Sequence, residues 1–205
     1  MALAANALTN VPTLRAWLTQ GRTNETGGRL ADDALEGLIN RASAAIEGWC
    51  RRSLVAPAEP RNYTFDGDGG CRLLLPEWPV VSVDSLTVDG QAIEERATVF
   101  GAGYVVRRRE GTLLLVGHRF AHGQQNVVVR ARLGYDAALA ESEPRHGAAL
   151  ADLEQACLML CALWFDKPSA GAQEAVDEGA VSRHDATPLP PEVEGLLFAY
   201  RRVGA

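Results

Sequence analysis

Residues 32–52, with the sequence DDALEGLINRASAAIEGWCRR, indicate the fold of this chain most clearly. Six apolar residues recur at the spacing of one helical face: Leu35, Leu38, Ile39, Ala42, Ile46 and Trp49. Asp32 and Asp33 lie where negative charge suits the positive end of a helix dipole, and Arg51 and Arg52 suit the opposite end. The stretch therefore predicts an amphipathic helix whose apolar face needs a packing partner.

Three further helices are predicted, one before this stretch and two after it. The first begins at Asn10, a good capping residue, with Pro12 in its first turn. The third runs from Ala148 to Phe165, and the last follows Pro191 and ends in Arg201-Arg202. Because these helices lie at both ends of the chain and each has an apolar side to bury, we expect them to form one core.

The middle of the chain, from Asn62 to Leu133, changes to short apolar runs that are typical of strands. We predict six strands, at residues 63–66, 72–75, 81–88, 104–108, 112–116 and 126–133. The dipeptide Asp89-Gly90 is a strong signal for a hairpin turn.

The expected fold is α+β: a helical bundle core with an inserted small antiparallel β domain and an extended C-terminal arm and helix. Residues 1–60 form the N-terminal helices of the core, residues 61–135 the β insert, and residues 136–168 the third core helix. Residues 169–205 form the arm and the last helix, since most of residues 169–187 are small or polar.

The amino-acid composition and net charge limit the classes of function that are compatible with this chain. The chain has 20 Lys and Arg against 26 Asp and Glu, a net charge of −6, which argues against a protein that grips DNA through its phosphates. An acidic wall past which DNA slides remains compatible with this charge. No apolar run approaches the roughly 18 residues of a membrane span, and no basic and apolar leader opens the chain. We therefore expect no membrane contact and synthesis in the cytoplasm.

The sequence contains no pattern typical of catalysis or cofactor binding. Neither a phosphate-binding GxxxxGK[ST] loop nor a GxSxG nucleophile motif is present. His118 and His122 have the spacing of a helical metal site, but the flanking glycines favour a polar loop. The stretch with Asp66 and Asp68 favours a turn over a calcium-binding loop.

The cysteines form no CxxC pair and are expected to be buried, reduced thiols: Cys50, Cys71, Cys157 and Cys161. We predict no enzyme, no metal and no cofactor.

Two features of the β insert are candidates for contacts with other molecules. Alternation along a strand would place Arg107 and Arg109 on one face and Arg108 on the other, which favours a solvated strand end over an interface or DNA-facing patch. Trp78, between two prolines, is a candidate for an exposed anchor. The other tryptophans fall on apolar helical faces and are expected in the core: Trp17, Trp49 and Trp164.

Four stretches in order resemble the head–tail connector (adaptor) family of tailed bacteriophages. They are LRAWL at 14–18 with the helix ending in IEGWC at 46–50, LLPEWPVVSV at 74–83 leading to VDG at 88–90, VRARLGY at 129–135, and LPPEV at 189–193 with YRR at 200–202. Their order and spacing cover most of the chain. The long β insert is similar to the version of the family found in siphophages and gene transfer agents.

This resemblance implies a structural role in the neck of a virion that is made in the bacterial cytoplasm. Members form a ring, usually dodecameric, beneath the portal protein. The ring extends the DNA channel, through which packaged DNA passes without sequence recognition, and it docks the stopper or tail terminator protein. Portal or subunit contacts are expected from the last helix: Leu196, Leu197, Phe198, Tyr200, Arg201 and Arg202. Tail-side or DNA-facing contacts are expected from Trp78, Arg107, Arg108 and Arg109.

Several alternatives stay open at this point. The chain could be a DNA-binding or regulatory module that uses the arginine run, or another head–tail joint protein such as a stopper or tail terminator. The predicted helices favour the adaptor, because those other joint proteins are expected to be mostly β. For Leu196, Leu197 and Tyr200, packing into the chain's own core is the alternative to an interface.

Overall fold

The computed structural model describes residues 2–19, 31–140, 142–166 and 189–202, and it confirms the α+β class. The chain divides into two compact units. Unit 1 comprises Met1–Arg51 together with Gly147–Ala205, and unit 2 comprises Arg52–His146. The expected arm, residues 169–187, lies outside the described residues.

The helices are α1 (Val11–Thr19), α2 (Asp32–Cys50), α3 (Pro144–Asp166) and α4 (Pro191–Leu197), and α4 is followed by a 3₁₀ turn, Phe198–Tyr200. The apolar stripes that predicted them supply the buried side chains of unit 1, which include Leu14, Leu35, Ile39, Ile46, Leu153, Leu160 and Leu197. The Oδ1 atom of Asn10 accepts a hydrogen bond from the Thr13 N–H at 2.9 Å, which confirms the expected cap of α1.

The ends of α2, α3 and α4 differ from the sequence prediction. Helix α4 ends at Leu197, and a 3₁₀ turn replaces the expected helix up to Arg201-Arg202. Arg51 is not in the last turn of α2 but follows it in the left-handed conformation, with φ of 56°, where its N–H reaches carbonyl oxygens of the preceding turn. Arg52 lies outside the helix, in unit 2. Helix α3 begins at Pro144, before the expected Ala148, because proline is tolerated in a first helical turn.

Helix α3 corrects the expectation that no segment is apolar enough to cross a membrane. Its 23 residues include an 18-residue window with a mean hydropathy of 1.5, which meets that test by length and composition. The core helix of a protein unit meets the same test, and α3 buries many residues: Ala149, Leu153, Ala156, Cys157, Leu158, Leu160 and Cys161. The absence of membrane contact stays a prediction.

The described residues of unit 2 form seven strands in two antiparallel sheets. The strands are β1 (Arg61–Gly67), β2 (Arg72–Leu74), β3 (Val80–Val88), β4 (Gln91–Ile93), β5 (Gly103–Arg107), β6 (Thr112–Val116) and β7 (Gly123–Leu133). One sheet has the order β1-β7-β3-β4 and the other β2-β6-β5. The sequence missed β4, which is too short for a visible alternation. It pairs with β3 across Asp89-Gly90, so the predicted hairpin is confirmed.

The core of unit 2 follows from the alternation along its strands. On β7 every second residue is buried, namely Val127, Val129, Ala131 and Leu133. At the end of this strand Gly134 has φ of +115°, and a Cβ atom there would lie 2.8 Å from both Ala56 N and Leu54 O. Only glycine fits this close approach of two backbone segments.

The cysteines agree with the sequence prediction in three of four positions. Cys50, Cys157 and Cys161 are buried and free, whereas Cys71 is free but exposed. Cys71 directly precedes the edge strand β2 and lies outside the core of unit 2, so the prediction of burial was wrong there. The hydrogen bond with Cys157, together with burial, raises the pKa of Cys161, which keeps that thiol protonated.

Candidate functional site

Residues 200–202 are attached to the rest of unit 1 by both backbone and side-chain contacts. The Arg202 N–H donates to Cys50 O at 2.8 Å, and the Tyr200 hydroxyl donates to Asp152 Oδ2 at 2.5 Å. The guanidinium of Arg201 lies 4.8 Å from the centroid of the Trp49 ring, where a cation–π contact is favourable. The segment after α4 therefore has one defined position on its unit.

These contacts separate the six residues expected at a portal or subunit interface into two groups. Leu197 and Tyr200 are 0% and 9% exposed, which fits the alternative of packing into the chain's own core. Phe198 is 72% exposed, and the side chains of Leu196, Arg201 and Arg202 are partly exposed. We call Leu196, Phe198, Arg201 and Arg202 the C-terminal face.

Trp78 is half-buried in unit 2 rather than a freely exposed anchor. The guanidinium carbon of Arg52 lies 3.8 Å from the centroid of its ring, and an Arg52 nitrogen donates to the Trp78 carbonyl oxygen. Arg52 also approaches Glu77, with 3.5 Å between Nε and Oε2. Sequence reasoning placed Arg52 at a helix end and missed this buried cluster, for which the sequence holds no local signal.

The arginine run is not a simple alternating strand end. Strand β5 ends at Arg107, and residues 108–110 form a 3₁₀ turn, so the expected alternation of Arg107, Arg108 and Arg109 was wrong. All three are exposed. Arg107 forms an ion pair with Glu110 at 3.3 Å, and Arg108 donates to the carbonyl oxygen of Val81 at 2.5 Å. Arg109 is thus the member of the run with the greatest freedom to contact another molecule.

Three of the residues considered as metal ligands, Asp66, Asp68 and His122, lie in turns and loops of unit 2 where they contact their own chain. Asp68 Oδ1 accepts from Gly70 N at 2.8 Å, and Asp66 Oδ1 accepts from Gln125 N at 2.6 Å, so both carboxylates stabilise turns. His122 packs against Gly69, where an added Cβ would lie 2.5 Å from its Nε2. Within the described ranges, no group of three or more His, Cys, Asp or Glu side chains is placed to hold a metal ion.

The structure also reveals exposed apolar residues of unit 2 that sequence reasoning did not single out. Val99 and Phe100 lie in the loop before β5, and Leu74 lies on β2, at an edge of its sheet. A possible signal in the sequence was the pair Val99-Phe100 beside glycine in a segment without strand alternation.

Comparison with solved structures finds the same fold in particle necks. Three of the similar structures are the neck of an empty GTA particle computed with C6 symmetry, the virion of a native gene transfer agent (GTA) particle, and the neck of a native GTA particle computed with C12 symmetry. Their sequence identities are 22%, 22% and 21%, and their TM-scores are 0.61, 0.62 and 0.56. Each match covers 100% of this chain and 94% of the other chain.

Comparison with models of protein families identifies the family to which this chain belongs. Residues 16–203 match the family described as head completion protein, whereas a search of the curated proteins found no significant match. The family match includes all four stretches that carried the resemblance in the sequence, apart from the first residues of the LRAWL segment. The chain belongs to the head completion protein family.

Proposed function

We propose that this chain is a structural head–tail connector (adaptor) subunit of a virion neck. Copies of it form a ring beneath the portal protein, extend the DNA channel and dock the stopper or tail terminator. The observation that carries this proposal is the match of residues 16–203 to the head completion protein family. The similar neck structures, which were computed with C6 and C12 symmetry, support a ring.

The proposed mechanism makes and breaks no covalent bond. A ring closes when one surface of each subunit binds a different surface of the next subunit around an axis. Each contact is small, but the contacts act together because the subunits are linked around the ring. This is a binding function rather than an enzymatic one, and it needs rigid surfaces instead of a catalytic site.

The C-terminal face is a suitable contact surface for the portal or for a neighbouring subunit. Phe198 presents an exposed aromatic ring, and aromatic residues are frequent at the energetic centre of interfaces. The buried neighbours Leu197 and Tyr200 hold the backbone on each side of it. Because the segment is already ordered, binding loses little conformational entropy there.

The charge of the chain fits a wall that DNA passes without being held. The net charge is −6, and Arg107 and Arg108 already interact with groups of their own unit. Arg109 and Trp78 are the remaining candidates for a tail-side or DNA-facing contact. The purified chain should therefore show little DNA binding at moderate ionic strength, whereas salt-sensitive retention that is lost in Arg109→Ala would favour a DNA-binding module.

Electron microscopy of particles from a strain with this gene inactivated tests the role directly. We expect packaged or leaking heads beside separate, complete tails, and complementation with the intact gene should restore joined particles. Normally joined particles without the gene product would contradict the proposal.

The C-terminal face is tested by a substitution that leaves the unit folded. Phe198→Ala should keep the urea unfolding midpoint, because the side chain is exposed, and yet reduce the amount of chain recovered in particles. Leu3→Ala, at a 37% exposed apolar residue of the same unit, is the matched control and should change neither quantity. Normal recovery of the Phe198→Ala chain would remove this residue from the interface.

A further inference from the structure

A loop of unit 2 presents two apolar side chains to solvent at its end. Phe100 is 100% exposed and Val99 is 77% exposed. They are the central residues of a turn, residues 98–101, which is closed by a hydrogen bond from Gly101 N to Thr98 O at 3.2 Å. We call these four residues the tip. Apolar side chains held away from any core are typical of a contact that forms on association.

The tip rests on a rigid base. The Arg96 N–H donates to Tyr104 O at 2.9 Å, and the Tyr104 N–H donates to Glu94 O at 3.0 Å. Tyr104 itself is buried in the core of unit 2. Gly103, with φ of +140°, permits the close approach of these two backbone segments because it has no side chain. A Cβ atom there would lie 2.6 Å from Glu94 O. The tip is therefore preorganised, which lowers the entropic cost of binding.

A complementary surface lies on the other edge of the same three-stranded sheet. The tip leads into β5, one edge strand, and Leu74 is 55% exposed on β2, the opposite edge strand. Leu74 pairs with Thr112 at one end of β6, whereas Gly103 pairs with Val116 at the other end. Two strand spacings of roughly 5 Å each separate these edges. The tip and Leu74 of one copy therefore lie at opposite corners of the sheet.

The charges beside the two surfaces are opposite in sign. Glu94 and Glu95 are exposed next to the tip, and Arg72 is exposed next to Leu74 on β2. Among the described residues, none of these three takes part in an ion pair. An acidic and apolar tip thus matches a basic and apolar strand edge, and such complementarity guides the register of an interface.

We propose that the tip of one copy binds the β2 edge of a second copy, with Val99 and Phe100 against Leu74 and the two glutamates near Arg72. This inference rests on the proposed function, because a cyclic ring requires two different surfaces on each subunit. The three-stranded sheet of unit 2 carries the tip at one edge and the proposed binding surface, β2, at the other edge. Unit 2 can therefore supply both of the surfaces that a ring requires.

Photocrosslinking in assembled particles identifies what the tip touches. Phe100 is replaced by p-benzoylphenylalanine in the full chain, which complements a strain lacking the gene. After irradiation, we expect a covalent dimer of this chain whose cross-linked peptide contains residues 72–74. A cross-link to another virion protein, or to a different segment of this chain, overturns the inference while the ring remains supported. If the unsubstituted chain is absent from particles, the proposed function fails and the inference fails with it.

A charge exchange tests the same contact without relying on the unnatural residue. Arg72→Glu and Glu95→Arg should each reduce recovery of the chain in particles several-fold, because each places like charges together, and the double variant should regain recovery. Arg61→Glu, at an exposed arginine on β1, is the matched control and should leave recovery unchanged. Equal losses in the control and in Arg72→Glu, or no rescue in the double variant, would argue that these charges do not meet.

Discussion

The hydroxyl of Tyr200 donates a hydrogen bond to Asp152 Oδ2 at 2.5 Å and so joins the 3₁₀ turn after α4 to α3. The substitution Tyr200→Phe removes the hydroxyl that donates this hydrogen bond. The partly buried carboxylate of Asp152 then loses this partner. We expect the free energy of unfolding to fall by about 1.5–3 kcal/mol, the range for hydrogen bonds to charged groups. Urea denaturation followed by circular dichroism measures the change.

Tyr63→Phe is the control for this hydrogen bond. Tyr63 is half-buried in β1, and within the described part of the chain its hydroxyl has no hydrogen-bond partner. Its substitution should leave the stability almost unchanged. Equal losses in the two variants would show that the Tyr200 hydroxyl contributes nothing specific.

Arg52 stabilises unit 2 through the shape of its guanidinium as well as its charge. The side chain is fully buried against Trp78 and Glu77, and lysine lacks the planar group that stacks and donates in several directions. Arg52→Lys should lower the free energy of unfolding by roughly 1–3 kcal/mol. The control is Arg145→Lys, at an exposed position, which should not change the unfolding midpoint. An Arg52→Lys chain with an unchanged free energy of unfolding would contradict this account.

Two glycines should respond in opposite directions to alanine. Gly48 lies in α2 with nothing within 4 Å of an added Cβ, so Gly48→Ala should raise the free energy of unfolding by about 0.5–1 kcal/mol. Gly134→Ala should lower it by about 2 kcal/mol or more, because φ of +115° and two backbone atoms at 2.8 Å oppose a side chain. Thermal unfolding of both variants checks the signs, and a stabilised Gly134→Ala chain would refute the steric argument.

Tyr104 should make the stability of unit 2 depend on alkaline pH. Burial, followed by the carboxylates of Glu95 and Glu94, raises the pKa of Tyr104 above its ordinary value of 10.0. Since the folded chain holds this proton more tightly than the unfolded chain, the contribution of the protonated tyrosine to stability is fully present below the ordinary pKa of 10.0. It is lost progressively as the pH rises above 10 and the unfolded tyrosine ionises, and the loss is complete above the folded pKa.

The variant Tyr104→Phe isolates this effect. The difference in free energy of unfolding between the original chain and the variant should shift against the original chain as the pH rises through 10, because only the original chain can ionise this residue on unfolding. Urea titrations at several values between about pH 8 and pH 11 measure it, a window set around the ordinary tyrosine pKa. A difference that stays constant with pH would mean that the pKa of Tyr104 is the same in both states.

Much of the fold was predictable from local patterns in the sequence. Helical spacing identified α2, and Asn10 and Asp89-Gly90 identified a helix start and a hairpin, because capping and turn formation depend on adjacent residues. The errors arose where local signals were weak or ambiguous. Strand β4 has only three residues, and the arginine run enters a 3₁₀ turn instead of continuing the strand.

The sequence by itself determined the class of fold, the main helices and strands, and the motifs that resemble the head–tail connector family. Only the tertiary structure decided which side chains of those elements remain available for contact. Leu197 is buried while the adjacent Phe198 is exposed, and Arg52 is buried although it follows a surface-facing helix end. The physical reason is that exposure depends on residues far away in the sequence, as Trp78 is from Arg52 and Asp152 is from Tyr200.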